Sequence, residues 1–193
     1  MRFVELMVLV SFVVFLFELV IPELVDAFAF SLEKAIYQPW RWITNVFLHA
    51  SFAHILFNSI VIMSIGSFIE DEIGKKRMIY LFLSSVLVSN LFFGIMHPEL
   101  YGIGASGFAF GISGIATILN PNLPVMVWGI PTTMGVAGLT FFFLELMLAI
   151  LFPFSNIAHI AHVGGFIVGI IFGYYLKRKY SRKRYIVEIE YHW

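Results

Sequence analysis

Apolar residues run in long blocks along this chain, and polar residues gather in the short breaks between them. Phe3 to about Val20 is the first block, ended by Pro22. The second runs from about Ser51 to Ile69 and stops at Glu70-Asp71-Glu72. Gly74-Lys75-Lys76-Arg77 then leads into the third, about Met78 to Met96. The fourth spans Ser106 to Leu119 and is stopped by Asn120-Pro121. The fifth covers about Met134 to Phe152, stopped by Pro153, and the sixth about Ile157 to Leu176. Blocks of this length and apolarity predict transmembrane helices. The pattern therefore predicts an all-α, polytopic membrane protein with six spans in a single domain over residues 1–193, of which 177–193 form a basic tail.

Between the blocks, Glu23 to Trp42 is a long loop rich in aromatic residues and poor in basic ones, as expected at a membrane interface. Val125 to Pro131 reads as interfacial, with Trp128 as its anchor. Glu5 and Glu18 lie near the two ends of the first span, where carboxylates reach water. Tyr185 to Trp193 alternates apolar and polar residues and receives no role.

Composition agrees with this reading. The chain is 60% hydrophobic and 12% charged, about half the charge of an ordinary soluble domain. There is no cysteine, which excludes disulfides, thiolate metal sites and cysteine catalysis. No small-residue cleavage site follows the first block, so it reads as a span rather than a removed signal peptide.

Six spans put both termini on one side. Arg2, Lys75, Lys76, Arg77 and six tail residues (Lys177, Arg178, Lys179, Arg182, Lys183, Arg184) then share a face, leaving only Lys34 and Arg41 opposite. The positive-inside rule predicts a multi-pass protein of the cell membrane with cytoplasmic termini. Net charge is zero, and no nucleic-acid partner is expected.

The fourth block locates the chemistry. Fourteen residues make a helix of roughly 21 Å, against a hydrocarbon core of about 30 Å. With its inner end fixed by Asn120-Pro121, its outer end sinks about 10 Å below the external surface, and Ser106 marks that end. His162 lies about 8 Å into the sixth span from the same side. His54 and Asn58, at i and i+4 on the second span, occupy one helix face at similar depth. Glycine stripes (Gly107, Gly111, Gly114 after Ser106; Gly165, Gly169, Gly173 after His162) permit close approach of the fourth and sixth helices.

A serine hydroxyl becomes a useful nucleophile when a base takes its proton. The free N–H groups at the start of the fourth helix offer oxyanion stabilisation, with His54 and Asn58 as further donors. The only aspartates, Asp26 and Asp71, lie in opposite loops, so a Ser106–His162 dyad is expected. Ser113 sits in a second G-x-S-G two turns deeper, about 10 Å below His162, and reads as packing. His159 is expected to be a loop partner. Glu145, the acid well inside the fifth span, is left between an interhelical contact and a tuner of the gate.

These residues resemble a known pattern. Trp40-Arg41 in the first loop, His49-Ala-Ser-Phe-Ala-His54-Ile-Leu-Phe-Asn58, Gly104-Ala105-Ser106-Gly107, and Ala161-His162-Val163-Gly164-Gly165 with Gly169 are similar, in this order, to the rhomboid intramembrane serine proteases in their minimal six-helix form. The resemblance implies Ser106 as nucleophile and His162 as general base, with His54, Asn58 and the Ser106 N–H at the oxyanion. It implies structural roles for Trp40, Arg41, His49 and the glycines. Substrates would be transmembrane segments of other proteins, entering sideways past the fifth helix and cut near their outer end. Phe110 stands where the family commonly carries a tyrosine against the histidine, and Asn45 replaces a histidine of some members, a change expected to matter little. The alternative is a weak or inactive relative that binds transmembrane clients. Neither metal nor cofactor is expected: H-E-x-x-H does not occur, and the glycine stripes oppose a large cofactor cavity.

Overall fold

The computed structural model describes residues 1–155 and 157–190, with side chains described to residue 179. The chain is a bundle of six long helices: α1 (Phe3–Glu18), α5 (Phe52–Ile73), α6 (Lys75–Met96), α7 (Ser106–Leu119), α8 (Met134–Leu151) and α9 (His159–Glu190). Short helices α2 (Glu23–Phe28), α3 (Leu32–Ala35) and α4 (Arg41–Thr44), then a 3-10 turn at Asn45–Phe47, occupy the first loop. Helices α5, α6, α8 and the first 21 residues of α9 are long and apolar enough to cross a membrane, and α7 is a shorter apolar helix. The fold is that of a polytopic helical membrane protein.

Helix α7 sits at the centre. Phe108, Ile112 and Ile115 are fully buried, packed among Ile69, Met78, Leu81 and Phe82 of neighbouring helices. Lipid tails are as apolar as leucine, so close packing rather than transfer from water must hold such a helix. Its glycines allow this. A Cβ at Gly165 would collide with the Gly107 carbonyl oxygen, and one at Gly169 with that of Gly111. Backbones therefore touch along the α7–α9 seam, where Ser106 and His162 face one another.

Two boundaries depart from the sequence reading. Glu70-Asp71-Glu72 does not end α5, which continues to Ile73 and stops at Gly74, whose φ is +84°. Buried Glu70 accepts hydrogen bonds from the backbone N–H groups of Phe3 (2.7 Å) and Val4 (3.0 Å), so it satisfies orphan donors at the start of α1. Helix α9 continues beyond Leu176 to Glu190, making the expected tail helical that far; 191–193 lie outside the described residues. The segment expected at the interface folds as a β-hairpin, β1 (Pro124–Val127) paired antiparallel with β2 (Ile130–Thr133). Its turn residues Trp128 (φ +52°) and Gly129 (φ +80°) are both left-handed, which matches strand twist in a two-residue turn.

Candidate active site

The site is assembled on the loop before α7. Gly104 has φ +110°, a conformation glycine adopts without strain. A Cβ there would lie 2.6 Å from His54 Cε1 and 2.7 Å from His54 Nε2, so glycine is also the residue that lets His54 lie over the loop. Gly104 N–H donates to the Asn45 carbonyl (2.9 Å), and Ala105 N–H to Nε2 of His49 (3.5 Å). His49 Nδ1–H in turn donates to the Phe47 carbonyl (3.2 Å), which selects the neutral tautomer with a free Nε2 acceptor. Burial, and the neighbouring His54 ring, lower the His49 pKa to about 4.

The first loop braces this turn from outside. Buried Arg41 donates to Gln38 Oε1 (2.5 Å) and to the carbonyls of Ala29 (2.6 Å) and Asp26 (2.6 Å). Trp40 Nε1–H donates to Ala27 O (3.2 Å). The segment so shaped pairs with the loop before α7 through a two-way backbone bridge, Phe30 with Gly102. Asp26 also bonds the Tyr101 hydroxyl and Lys34, and these partners hold its carboxyl below the usual range. Trp40 and Arg41 thus brace the backbone that pairs with the loop before α7.

Ser106 begins α7, where the first N–H groups have no helical acceptor and the helix dipole is positive. Its hydroxyl donates to His162 Nε2 at 2.9 Å. Phe110, one turn on, lies flat against the imidazole, with ring centroids 4.5 Å apart and planes 10° apart. Asn58 is buried, and its Nδ2 has no hydrogen-bond partner among the described residues. That donor and the His54 ring both flank Gly104, two residues before Ser106. Ser113 Oγ–H donates to the carbonyl of Ala109 four residues back (3.0 Å), as a packing serine does.

Two features escaped the sequence. Asn45, expected to matter little, exchanges side-chain hydrogen bonds with buried Asn90 (3.0 and 3.1 Å) besides holding Gly104. Glu145 is the second: its Oε2 accepts from Nδ1–H of His162 at 2.9 Å and of His159 at 2.6 Å. His159 therefore shares a carboxylate with His162 rather than bonding a loop. The signal was available, since Glu145 is the lone charge in α8, and a carboxylate in such a segment calls for a partner.

A serine hydrogen-bonded to an imidazole at a helix start, inside a bundle of apolar helices, defines a helical membrane protein with a serine–histidine site. Comparison with known proteins gives the family. The Rhomboid domain matches residues 37–179. YdcA of Bacillus subtilis (strain 168), named as a rhomboid protease, is 30% identical over 147 residues, covering 75% of this chain and 70% of its own. RHOMBOID-like protein 2 of Arabidopsis thaliana is 28% identical over 169 residues (78% and 52%), and rhomboid protease GlpG of Yersinia pestis (strain Pestoides F) 28% over 147 residues (75% and 51%). The chain belongs to the rhomboid family. It spans about half the length of the last two relatives.

Proposed function

We propose that the protein is an intramembrane serine endopeptidase that cleaves transmembrane segments of other membrane proteins near their outer end, Ser106 being the nucleophile and His162 the general base. The 2.9 Å bond from Ser106 Oγ to His162 Nε2 carries the reading. In the first step Ser106 Oγ attacks the scissile carbonyl carbon while its proton passes to His162 Nε2, and the carbonyl π pair moves onto oxygen. The oxyanion meets the Ser106 N–H, Asn58 Nδ2 and His54. The C–N bond then breaks as His162 returns the proton to the leaving nitrogen, and water, deprotonated by the same imidazole, hydrolyses the Ser106 ester.

The relatives named as proteases support this reading, and the basic residues of the tail favour cytoplasmic termini in the cell membrane. Helix α8 buries only Met134, Ala137 and Gly138. A cavity of about 380 Å³ opens between α5 and α8, lined by Phe57, Asn58, Phe110 and Phe141. It offers lateral access for a helical substrate. The test is labelling of detergent-purified protein by a fluorophosphonate. Wild type and Ser113→Ala are expected to label; Ser106→Ala and His162→Ala are not. Labelling that survives Ser106→Ala would falsify the assignment, and a silent wild type that still binds a transmembrane client identifies the inactive alternative.

A further inference from the structure

We propose that Glu145 is a positioning residue that extends the Ser106–His162 pair to a Ser–His–Glu relay, with His159 bracing the carboxylate; this rests on the serine–protease reading above. The first observation is the cluster itself. One oxygen, Glu145 Oε2, lies 2.9 Å from His162 Nδ1, and Ser106 Oγ lies 2.9 Å from the other ring nitrogen, Nε2. Only about a tenth of each of these histidine and glutamate side chains meets the exterior. A carboxylate so placed in an apolar helix is expensive to keep unless it is bonded and used.

What it does follows from the tautomer. Neutral imidazole carries its proton on either nitrogen, and only the Nδ1–H form leaves Nε2 free to accept from serine. Phe110 fixes the plane of the His162 ring by stacking, yet an apolar ring has no preference between the tautomers. The Glu145 carboxylate does, because it accepts from Nδ1–H. When Nε2 takes the serine proton, the imidazolium forms beside a fixed negative charge in a low-dielectric site, where that charge has its largest effect. His159, three residues before His162 on α9, donates to the same Oε2 at 2.6 Å with its ring at 86° to that of His162. It holds the carboxylate at the height of His162 and satisfies a further lone pair.

A metal ion held by the same three side chains is the competing use, since their ligand atoms lie within 4.8 Å of one another. Ligands sharing a tetrahedral zinc ion at bonds of 2.0–2.1 Å stand about 3.3 Å apart. The Nδ1–Oε2 separations of 2.6 and 2.9 Å are hydrogen-bond lengths instead.

The experiment measures fluorophosphonate inactivation in proteoliposomes, separating the maximal rate from the half-saturating concentration, for wild type, Glu145→Gln, Glu145→Asp, His159→Gln and Ser106→Ala. Glu145→Gln keeps size and polarity but removes the charge. It is expected to lower the maximal rate about 10²- to 10⁴-fold with half-saturation unchanged. Glu145→Asp should recover part of that loss, and His159→Gln should lose less than Glu145→Gln. Equal maximal rates for wild type and Glu145→Gln, with Ser106→Ala silent, overturn this proposal and leave the serine assignment standing. Persistent labelling of Ser106→Ala overturns the serine assignment itself. One equivalent of bound zinc in wild type, absent from Glu145→Gln, also overturns the relay and makes the cluster a metal site.

Discussion

Phe110 lies parallel to the His162 ring, 10° between planes and 4.5 Å between centroids, so the imidazole is gripped on a face by carbon and at its edges by Ser106 and Glu145. Stacked rings contribute about 0.5–1.5 kcal/mol beyond their burial. Phe110→Ala is therefore expected to slow fluorophosphonate labelling about threefold to tenfold by loosening the ring. Phe110→Tyr should label at nearly the wild-type rate. Loss of labelling in Phe110→Tyr would show that the site has no room for a hydroxyl at this position.

Gly104 is the least replaceable residue of the loop before α7. Its φ of +110° costs a side-chain-bearing residue about 1–3 kcal/mol, and the new Cβ would push against the His54 ring. Misplacement by an ångström can cost about 100-fold in rate. Gly104→Ala should lose at least that in labelling while also melting at lower temperature. Intact labelling would mean that His54 has freedom to move aside and has no part in the oxyanion site.

Asn58 presents the opposite balance. Its buried Nδ2 has no partner among the described residues, so this donor is free to meet an oxyanion. Asn58→Ala should remove about 10²–10³-fold from the maximal rate, as loss of an oxyanion donor does elsewhere. Thermal stability should change little, because no hydrogen bond of Nδ2 to the described residues is lost. A large drop in melting temperature with normal labelling would make Asn58 a structural amide.

His49 gives a pH signature. Its pKa falls from an ordinary 6.5 to about 4 on folding, so between those values the unfolded chain binds more protons than the folded one. Stability from this residue is complete above pH 6.5 and declines as pH falls toward 4, by up to about 3 kcal/mol. Protonation also removes the Nε2 acceptor of Ala105 N–H and so releases the loop that holds Ser106. Melting curves at pH 7.5 and 5 should differ more for wild type than for His49→Gln. Equal differences would show that His49 titrates freely.

Part of this was legible in the chain. Position along each helix pointed to Ser106, His162, His54 and Asn58 as one group, and the structure brings Ser106 to His162 and both His54 and Asn58 to Gly104. The glycine stripes marked which helices touch. Side-to-side placement was not legible. Glu145 meets His162 because of how α8 lies on α9, which no spacing within α8 encodes. The hairpin before α8 was hidden because its turn is Trp128-Gly129, where asparagine or aspartate usually precedes the glycine.

That hairpin and Glu145 bear on how a substrate reaches Ser106. Trp128 in the turn meets Phe57 of α5 edge to face, with centroids 6.2 Å apart, and the cavity beside them separates α5 from α8. Helix α8 is held by the hairpin at one end, by Gly138 against Thr117 and Phe142 against Phe166 along its middle, and by the Glu145–histidine bonds beyond, while its α5 side borders the cavity. A helical substrate passing through that cavity must displace α8 or thread beneath it; a small fluorophosphonate need not. The chain has no cysteine, so Phe57→Cys with Phe141→Cys gives a clean pair across the cavity for a short bis-maleimide. Joining them should abolish cleavage of a fluorescently tagged single-span protein in proteoliposomes and leave fluorophosphonate labelling within about twofold of the unjoined pair. Cleavage that survives the link would place substrate access elsewhere on the bundle. Loss of both would indicate that α8 must move even to let Glu145 set His162 against Ser106.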